Sequence, residues 1–326
     1  MRTSGSRISG ALPLVGLGAG VILWGTSFVA TKAALTGFGP LVVVGARMLL
    51  SSALMLPFWA RLPAPRRQHG DWRWLALIAL LYPCVYYVLE GNALRFTTAS
   101  QAGAVSALVP LMVAVGARVF LSEHLSGWAV AGLVASIGGV VVLSAAAPHE
   151  AGASNPALGN ALEVLALAAY AVSTIELKRL TSRYDPWFLA GLQCLVGALL
   201  FFPAVGLAAT ENWGRAPLDA WLGVLYLGLL VTLLPAGLYN FALSRMGAAR
   251  TSMAINLVPV VALITGWAIL GDSLAPLQML ACVVILGGVM LGQLPGSGET
   301  VAKRAVAEEA QPERRVRALC PPPEAE

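Results

Sequence analysis

Long apolar runs, each about the length of a membrane-spanning helix, alternate with short polar loops along most of the chain. A spanning helix needs about 20 mostly apolar residues, because the hydrocarbon layer is roughly 30 Å thick and each residue rises about 1.5 Å. Ten segments meet this requirement, at 13–34, 41–60, 74–94, 99–121, 127–146, 157–179, 187–207, 218–241, 248–270 and 276–294. The pattern predicts an all-α integral membrane protein with ten transmembrane helices.

The composition supports the same class of protein. Of 326 residues, 58% are hydrophobic and 11% are charged, and the mean hydropathy of +0.76 does not suit a water-soluble surface. The net charge of +5 comes from short basic clusters between apolar segments, so a nucleic-acid partner is not predicted. Four cysteines without paired spacing predict neither a disulfide nor a metal site, and we expect no cofactor.

The distribution of basic residues predicts the orientation in the membrane. If residues 1–12 are cytoplasmic, most Lys and Arg residues fall on the cytoplasmic side, as the positive-inside rule requires. We therefore expect a multi-pass protein of the cell inner (plasma) membrane with both termini in the cytoplasm. Residues 295–326 are polar and rich in charge and proline, which predicts a disordered cytoplasmic tail. Arg2 and Arg7 ahead of the first apolar run also resemble a signal peptide, but that run is nearer in length to a full span.

The second half of the chain repeats the first. At an offset of 149 residues, Leu108-Val109-Pro110 aligns with Leu257-Val258-Pro259, and Gly138-Gly139 aligns with Gly287-Gly288; at an offset of 146, Lys32 aligns with Lys178, and Pro40 with Pro186. Because each half holds five helices, the second half must enter the membrane from the opposite side. The sequence therefore predicts two inverted-topology repeats, 13–146 and 157–294. Such repeats recur in secondary transporters, which open alternately to the two sides of the membrane.

These residues resemble the drug/metabolite transporter superfamily in its EamA-type ten-helix form. The markers are Trp24-Gly25 and Lys32 in the first helix, Arg47 in the second, and the stretch from Pro110 to Leu125. The resemblance implies two bundles around a central cavity, with the fifth and tenth helices at the periphery, and usually the export of metabolites. The second repeat departs from this pattern with Gln193 in the place of Arg47.

Ionisable residues inside the spans are the first candidates for chemistry, because each costs about 2.5–3.5 kcal/mol on insertion scales. Glu90 is the first choice, as a group that titrates during transport or that pairs with a cationic substrate. The alternative for Glu90 is a structural pair with Lys32 or Arg95. Arg47 needs an anionic partner within the membrane, and we favour a structural charge for it. Glu163 sits near one end of the sixth span.

Aromatic and polar residues at comparable depths in the two halves are candidates for a substrate site. Three of them share one face of the first helix by three- and four-residue spacing, and the sixth helix repeats this face. The predicted substrate-binding residues are Trp24, Ser27, Phe28, Tyr86, Glu90, Tyr170, Ser173, Thr174, Tyr239, Asn240 and Asn256. For each of them, ordinary helix packing is the alternative. Pro110 and Pro259 each remove a helical hydrogen bond, which predicts kinks that serve in gating.

The function predicted from these features is secondary active transport of a small metabolite by alternating access. The expected partners are the lipid bilayer and the substrate, which we expect to be an amino acid, a nucleoside or an amphiphilic compound. Export is favoured over import, and coupling protons and a homodimer are left open.

Two other functional classes compete with transport. A membrane scaffold or receptor that moves nothing is compatible with the sequence. An intramembrane hydrolase is suggested by Gly25-Thr26-Ser27-Phe28, but His69, His124 and His149 fall in loops or at helix ends, so it lacks a base. A pumping ATPase lacks its phosphate-binding loop. We therefore predict that the chain is not an enzyme.

Overall fold

The computed structural model describes residues 5–63, 68–121, 126–146, 153–180, 183–208, 213–246, 255–292 and 294. Among them, the chain is almost wholly helical and no strand is present. The α-helices are α1 (Gly5–Ala34), α2 (Pro40–Trp59), α3 (Asp71–Ala79), α4 (Tyr86–Phe96), α5 (Ala99–Ser106), α6 (Val109–Leu121), α7 (Gly127–Ala145), α8 (Pro156–Leu180), α9 (Pro186–Ala208), α10 (Leu218–Tyr226), α11 (Leu234–Met246), α12 (Val258–Thr265) and α13 (Pro276–Gly292). Three π-helical segments, Leu80–Val85, Leu227–Val231 and Gly266–Leu270, interrupt or extend these helices.

The helices correspond to the ten predicted spans. Seven stretches are long and apolar enough to cross a membrane: Leu14–Ala34, Pro40–Trp59, Asp71–Phe96, Gly127–Ala145, Pro156–Leu177, Pro186–Gly206 and Leu218–Tyr239. Helices α5 and α6 together give an eighth, and Val258–Leu270 and Pro276–Gly292 are two shorter apolar helices. The predicted all-α fold of ten transmembrane helices is confirmed. Residues 248–254 of the ninth predicted span and the predicted tail at 295–326 lie outside the described residues.

Several helices depart from the predicted spans in their details. Helix α1 begins at Gly5, earlier than the predicted start at residue 13. The third span is broken, because Tyr82 has the extended conformation φ −136°, ψ 121° and is followed by Pro83 in a cis peptide bond. The eighth span is broken after Val231, where helix α10 and its π-helical extension end and α11 begins at Leu234. The two broken spans occupy corresponding positions in the two repeats.

The packing between α2 and α9 is reciprocal. Gly45 lies against Phe201, and Gly191 lies against Met55, in each case so closely that a side chain on the glycine would collide. At the sequence offset of 146, Gly45 corresponds to Gly191 and Met55 corresponds to Phe201. Each contact is therefore the counterpart of the other, as expected for two elements related by a two-fold axis.

The packing between α7 and α13 shows the same relation at the offset of 149. Gly139 lies against Ile285, and Gly288 lies against Ser136. The hydroxyl of Ser136 donates a hydrogen bond to the carbonyl of Ile285, its own repeat counterpart, at 3.0 Å. With five spans in each repeat, this two-fold relation places the repeats in opposite orientations, so the inverted-repeat architecture is confirmed.

The first helix of each repeat packs into the other repeat. Helix α1 packs against α10, α11 and α12, and helix α8 packs against α3, α4, α5 and α6. Both helices therefore lie at the centre of the molecule, where the two bundles meet. The helices α7 and α13 pack mainly against each other at the side of the bundle. This arrangement leaves the space between α1, α8 and the broken third span for a binding site.

Large apolar side chains cover the outside of the bundle. Val134 is 66% exposed, Leu199 69% and Trp267 69%, although all three lie in apolar helices. In water such a surface would drive association, whereas in a bilayer it faces hydrocarbon. The chain is therefore a multi-pass membrane protein.

Candidate substrate-binding cavity

A cavity lies between the two repeats, near the middle of the spans. Small-molecule sites in proteins are typically concave, mostly apolar and furnished with a few polar groups, and this cavity has that character. The lining residues come from both repeats: Trp24, Ser27, Phe28, Arg47, Tyr82, Tyr86, Tyr87, Glu90, Ser106, Val109, Leu167, Tyr170, Val231, Ile255 and Val258. Within this set the charged side chains are Arg47 and Glu90, and five are aromatic rings with a polar atom. The aromatic walls can therefore contact the apolar part of a ligand, while the two opposite charges orient the ligand through its polar groups.

The structure brings together about half of the predicted substrate-binding residues. Those that line the cavity are Trp24, Ser27, Phe28, Tyr86, Glu90 and Tyr170. The first three share one face of α1, as their spacing predicts, and Tyr170 faces them from α8. The site is thus built across the interface between the repeats.

Two residues of the predicted α8 face do not line the cavity. The Ser173 hydroxyl donates to the carbonyl of Ile78 at 3.2 Å, and the Thr174 hydroxyl donates to the carbonyl of Tyr170 at 2.9 Å. Both hydroxyls are therefore used in helix packing. Only Tyr170 of this predicted face lines the cavity.

Two further predicted residues, Tyr239 and Asn256, also fall outside the lining. The ring of Tyr239 lies beside Trp24, with 5.7 Å between ring centroids, and supports it from α11. Asn256 lies in the turn before α12, and its side-chain oxygen is buried without a hydrogen-bond partner in the described part of the chain. The side chain of Asn240 lies outside the described residues.

A buried ion pair joins Arg47 and Glu90 across the cavity. Arg47 Nη1 lies 4.0 Å from Glu90 Oε2, and the two side chains are 2% and 3% exposed. The hydroxyl of Tyr86 donates to Glu90 Oε1 at 2.8 Å. The partner of Glu90 is therefore Arg47, and the alternative interpretation of a pair with Lys32 or Arg95 is wrong. Charged hydrogen bonds are usually about 2.7–2.9 Å long, so the two groups attract each other without a direct hydrogen bond.

Arg47 is held by two further contacts. Its Nε donates to the hydroxyl of Thr232 at 3.0 Å, and its guanidinium carbon lies 3.8 Å from the centroid of the Tyr87 ring. Stacking on the ring fixes the plane of the guanidinium. The second terminal nitrogen, Nη2, has no hydrogen-bond partner among the described groups. Arg47, predicted as a structural charge, thus lines the cavity with one donor unpaired, although that nitrogen is covered in this structure.

Four tyrosines form one wall of the cavity. Tyr82 lies 5.4 Å from Tyr86, 5.4 Å from Tyr87 and 5.1 Å from Tyr170, measured between ring centroids. The hydroxyls of Tyr82 and Tyr87 are hydrogen-bonded at 3.0 Å. Sequence reasoning missed Tyr82 and Tyr87, although Tyr82 directly precedes Pro83, which signals a helix break. Such a wall suits apolar, aromatic and cationic groups.

The second helix of each repeat reaches the broken helix of the other repeat. Arg47 donates to Thr232, at the break in the eighth span, and Thr232 in turn donates to the carbonyl of Leu227 at 2.7 Å. Its counterpart Gln193 donates to the carbonyl of Tyr82, at the break in the third span, at 2.8 Å. Each break is therefore stabilised by a side chain from the second helix of the other repeat. That side chain is the charged Arg47 at the eighth span and the neutral Gln193 at the third.

The two prolines predicted to kink their helices each lie just after an interruption of the helical structure. Helix α5 ends at Ser106, and α6, which contains Pro110, begins at Val109 with a 40° bend between the two helices. Helix α12, which contains Pro259, begins at Val258 after a turn. A role of these breaks in gating stays a prediction.

The described residues give little support to hydrolytic chemistry at Ser27. Its hydroxyl donates to the carbonyl of Trp24 at 2.6 Å, a bond within α1. Of the three histidines, the structure describes His69, which is exposed in the loop before α3. No group of His, Cys, Asp and Glu side chains in the described ranges is arranged to hold a metal ion.

Comparison with known proteins identifies the family. The model of the EamA-like transporter family matches residues 13–145 and again residues 157–292. A probable terminal-alkyne amino-acid exporter of Streptantibioticus cattleyicolor is 26% identical over 272 residues, which are 83% of this chain and 90% of the exporter. The uncharacterised transporter YdfC of Bacillus subtilis is 26% identical over 274 residues, 82% of this chain and 86% of YdfC. A solved crystal structure with 21% sequence identity shares the fold, with a TM-score of 0.60, and covers 87% of this chain and 98% of its own. Since the family model accounts for both repeats, the chain belongs to the EamA-like transporter family.

Proposed function

We propose that the protein is a secondary active transporter that exports a small zwitterionic metabolite, such as an amino acid, by alternating access. The observation that supports this function best is the Arg47–Glu90 pair, buried in an aromatic cavity between the inverted repeats. Within the family, the similar exporter of terminal-alkyne amino acids is named for a substrate of this kind.

The chemistry of the cavity favours a substrate with both charges. A guanidinium with a free donor binds a carboxylate, and a carboxylate such as that of Glu90 binds an ammonium group. Because leaving a charge unmatched in a buried site is costly, a ligand that enters between Arg47 and Glu90 must offer both partners. The tyrosine wall and Trp24 then accept its side chain.

Alternating access is supported by the way in which the repeats are joined. The cavity lies where α1 and α8 cross between the two bundles, and its walls include residues beside the broken third, fourth and eighth spans. Short rigid pieces joined at breaks can tilt without unfolding, so either end of the cavity can open in turn.

The test is transport in vesicles that contain the purified protein, with amino acids, nucleosides and amphiphilic cations as candidate substrates. We expect exchange of a zwitterionic amino acid, with at least tenfold weaker binding of analogues that lack the amino or the carboxyl group, because an unpaired charge costs about 1–3 kcal/mol. Binding of a compound without its movement would instead indicate a receptor, and transport of neutral compounds with equal affinity would contradict the proposed substrate class.

Variants of the ion pair test whether transport depends on this cavity. Arg47→Ala and Glu90→Gln should each reduce transport at least tenfold, and Glu90→Gln should change its pH dependence. Arg61→Ala is the matched control, since Arg61 is exposed at the end of α2 and stacks only loosely on Phe58 at 5.9 Å. Normal transport by both cavity variants at every pH would remove the pair from the mechanism.

A further inference from the structure

A second carboxyl group is buried beside the cavity. Glu163 on α8 has no exposed surface, and neither of its carboxylate oxygens has a hydrogen-bond partner among the described residues. It does not line the cavity, although Leu167, one turn and about 6 Å further along α8, does. A carboxyl group in this setting costs free energy unless a positive charge compensates it, which makes it a functional candidate.

The nearest titratable groups of the neighbouring elements belong to the site. Glu163 interacts electrostatically with Glu90 of α4, and Tyr86 of α4 interacts with both carboxyl groups. The hydroxyl of Tyr86 donates to Glu90 at 2.8 Å. Arg47 of α2 faces Glu90 from the other side.

Among the residues that the structure describes, the other elements packed against α8 bring no compensating charge near Glu163. Helices α5 and α7 supply the uncharged Gln101 and Ser144, and the π-helical segment supplies the hydroxyl of Tyr82. The charged groups of α3 and α6 lie toward the opposite end of α8, where Asp71 is paired with Arg183. At that end are Asp71, Arg73 and Arg118.

A count of charges therefore leaves Glu163 unmatched. Arg47 supplies one positive charge and faces Glu90, so an ionised Glu163 would be a second negative charge with no partner. A substrate ammonium cannot reach it, because both of its oxygens are covered. A proton can reach it, because Glu90 lines the cavity and Tyr86, whose hydroxyl donates to Glu90, interacts electrostatically with both acids.

We propose that Glu163 is a proton-binding site coupled to transport, an inference that rests on the proposed function. In one half of the cycle the carboxyl O–H of Glu163 releases its proton through Tyr86 and Glu90 to water in the cavity, leaving a carboxylate. In the other half a proton from water returns to that carboxylate. One proton is thus exchanged for each passage of substrate.

A separate network of polar side chains lies one turn before Glu163, toward the beginning of α8. Asn160, one turn earlier, donates to Gln101 at 3.2 Å and to Ser144 at 2.9 Å, and it accepts a hydrogen bond from Thr97 at 2.9 Å. All these groups are hydroxyls or amides near the end of α8 that opens the second repeat.

The site can be tested without knowing the substrate. Infrared difference spectra of the purified protein between pH 5 and pH 9 should show one protonated-carboxyl band that disappears as the pH rises. The band should be absent in Glu163→Gln, shifted in Glu163→Asp and unchanged in Glu176→Gln, a control acid at the far end of the same helix. A spectrum of Glu163→Gln identical to that of the natural protein would overturn the proposal.

Transport measurements then test the coupling. In vesicles with an internal pH dye, a substrate gradient should drive proton movement, and Glu163→Gln should reduce it at least tenfold, whereas Glu176→Gln should retain it. Undiminished proton movement in Glu163→Gln would refute the coupling. Failure of the protein to move any compound would count against the proposed function, while the infrared band would still decide whether Glu163 binds the proton.

Discussion

At the scale of single residues, polarity within an apolar span was the most useful signal. Arg47 and Glu90 could be selected from the sequence because a charged side chain within a membrane span costs free energy and is therefore a candidate for function. Their pairing could not be predicted, since Lys32 and Arg95 were equally good partners by sequence. Apolar lining residues such as Leu167 could not be distinguished from the core, because both kinds of position favour the same side chains.

The hydroxyl of Tyr86 offers a test of this geometry at one atom. Tyr86→Phe keeps the ring in the wall but removes the donor to Glu90 Oε1. Loss of a hydrogen bond to a buried charge costs about 1.5–3 kcal/mol of stability. Because the Glu90 carboxylate also loses the donor that fixes its orientation, we expect substrate binding to weaken, measured by titration calorimetry. Tyr226→Phe is the matched control, because its hydroxyl bonds Thr26 at 2.7 Å away from the lining residues. Equal effects of the two substitutions would show that the bond to Glu90 has no special role.

At the scale of helices, hydropathy located the spans but not their interruptions. Pro110 was recognised as a breaker, whereas Pro83 was not, nor was Pro235, which is the second residue of α11 after the break in the eighth span. There the freed backbone is stabilised by a side chain, with Thr232 bonding the carbonyl of Leu227 and receiving the bond from Arg47. Such support comes from the other repeat, and a single sequence does not reveal it.

The contact between α7 and α13 gives a prediction for whole helices. A methyl group at Gly288 would collide with Ser136, and one at Gly139 would collide with Ile285, so Gly288→Ala and Gly139→Ala should each destabilise the fold by about 1–3 kcal/mol. Thermal unfolding in detergent should show midpoints lowered by a few degrees.

The neighbouring glycines provide the control. Gly138 and Gly287 have open space where a side chain would begin, so Gly138→Ala and Gly287→Ala should leave the midpoint unchanged or slightly higher, since alanine favours helices. A drop of the same size in all four variants would mean that glycine flexibility, and not close packing, is required here.

At the scale of the whole molecule, the internal repeat carried most of the predictive value. The offsets of 146 and 149 residues predicted the inverted repeat, and they relate the breaks and the reciprocal glycine contacts that the structure shows. The site itself was less predictable, since it combines residues of both bundles. The two repeats differ in charge at one pair of corresponding positions, where Arg47 is charged and its counterpart Gln193 is neutral. In the cavity lining, both charged side chains come from the first repeat, and the residues contributed by the second repeat are uncharged.

The orientation of the repeats in the membrane gives the last prediction. His69 precedes the third span and Leu218, its counterpart at the offset of 149, begins the eighth; both side chains are exposed. In inverted repeats these positions lie on opposite sides of the membrane, and the distribution of basic residues predicts that His69 lies on the cytoplasmic side. His69→Cys and Leu218→Cys should therefore react with a membrane-impermeant maleimide from opposite faces, with Leu218→Cys labelled from outside intact cells. The background variant is Cys320→Ser, because Cys84, Cys194 and Cys282 are buried and protected from the reagent. Labelling of both positions from the same face would exclude an inverted arrangement, whereas labelling from opposite faces with His69→Cys outside would preserve the architecture and reverse only the orientation.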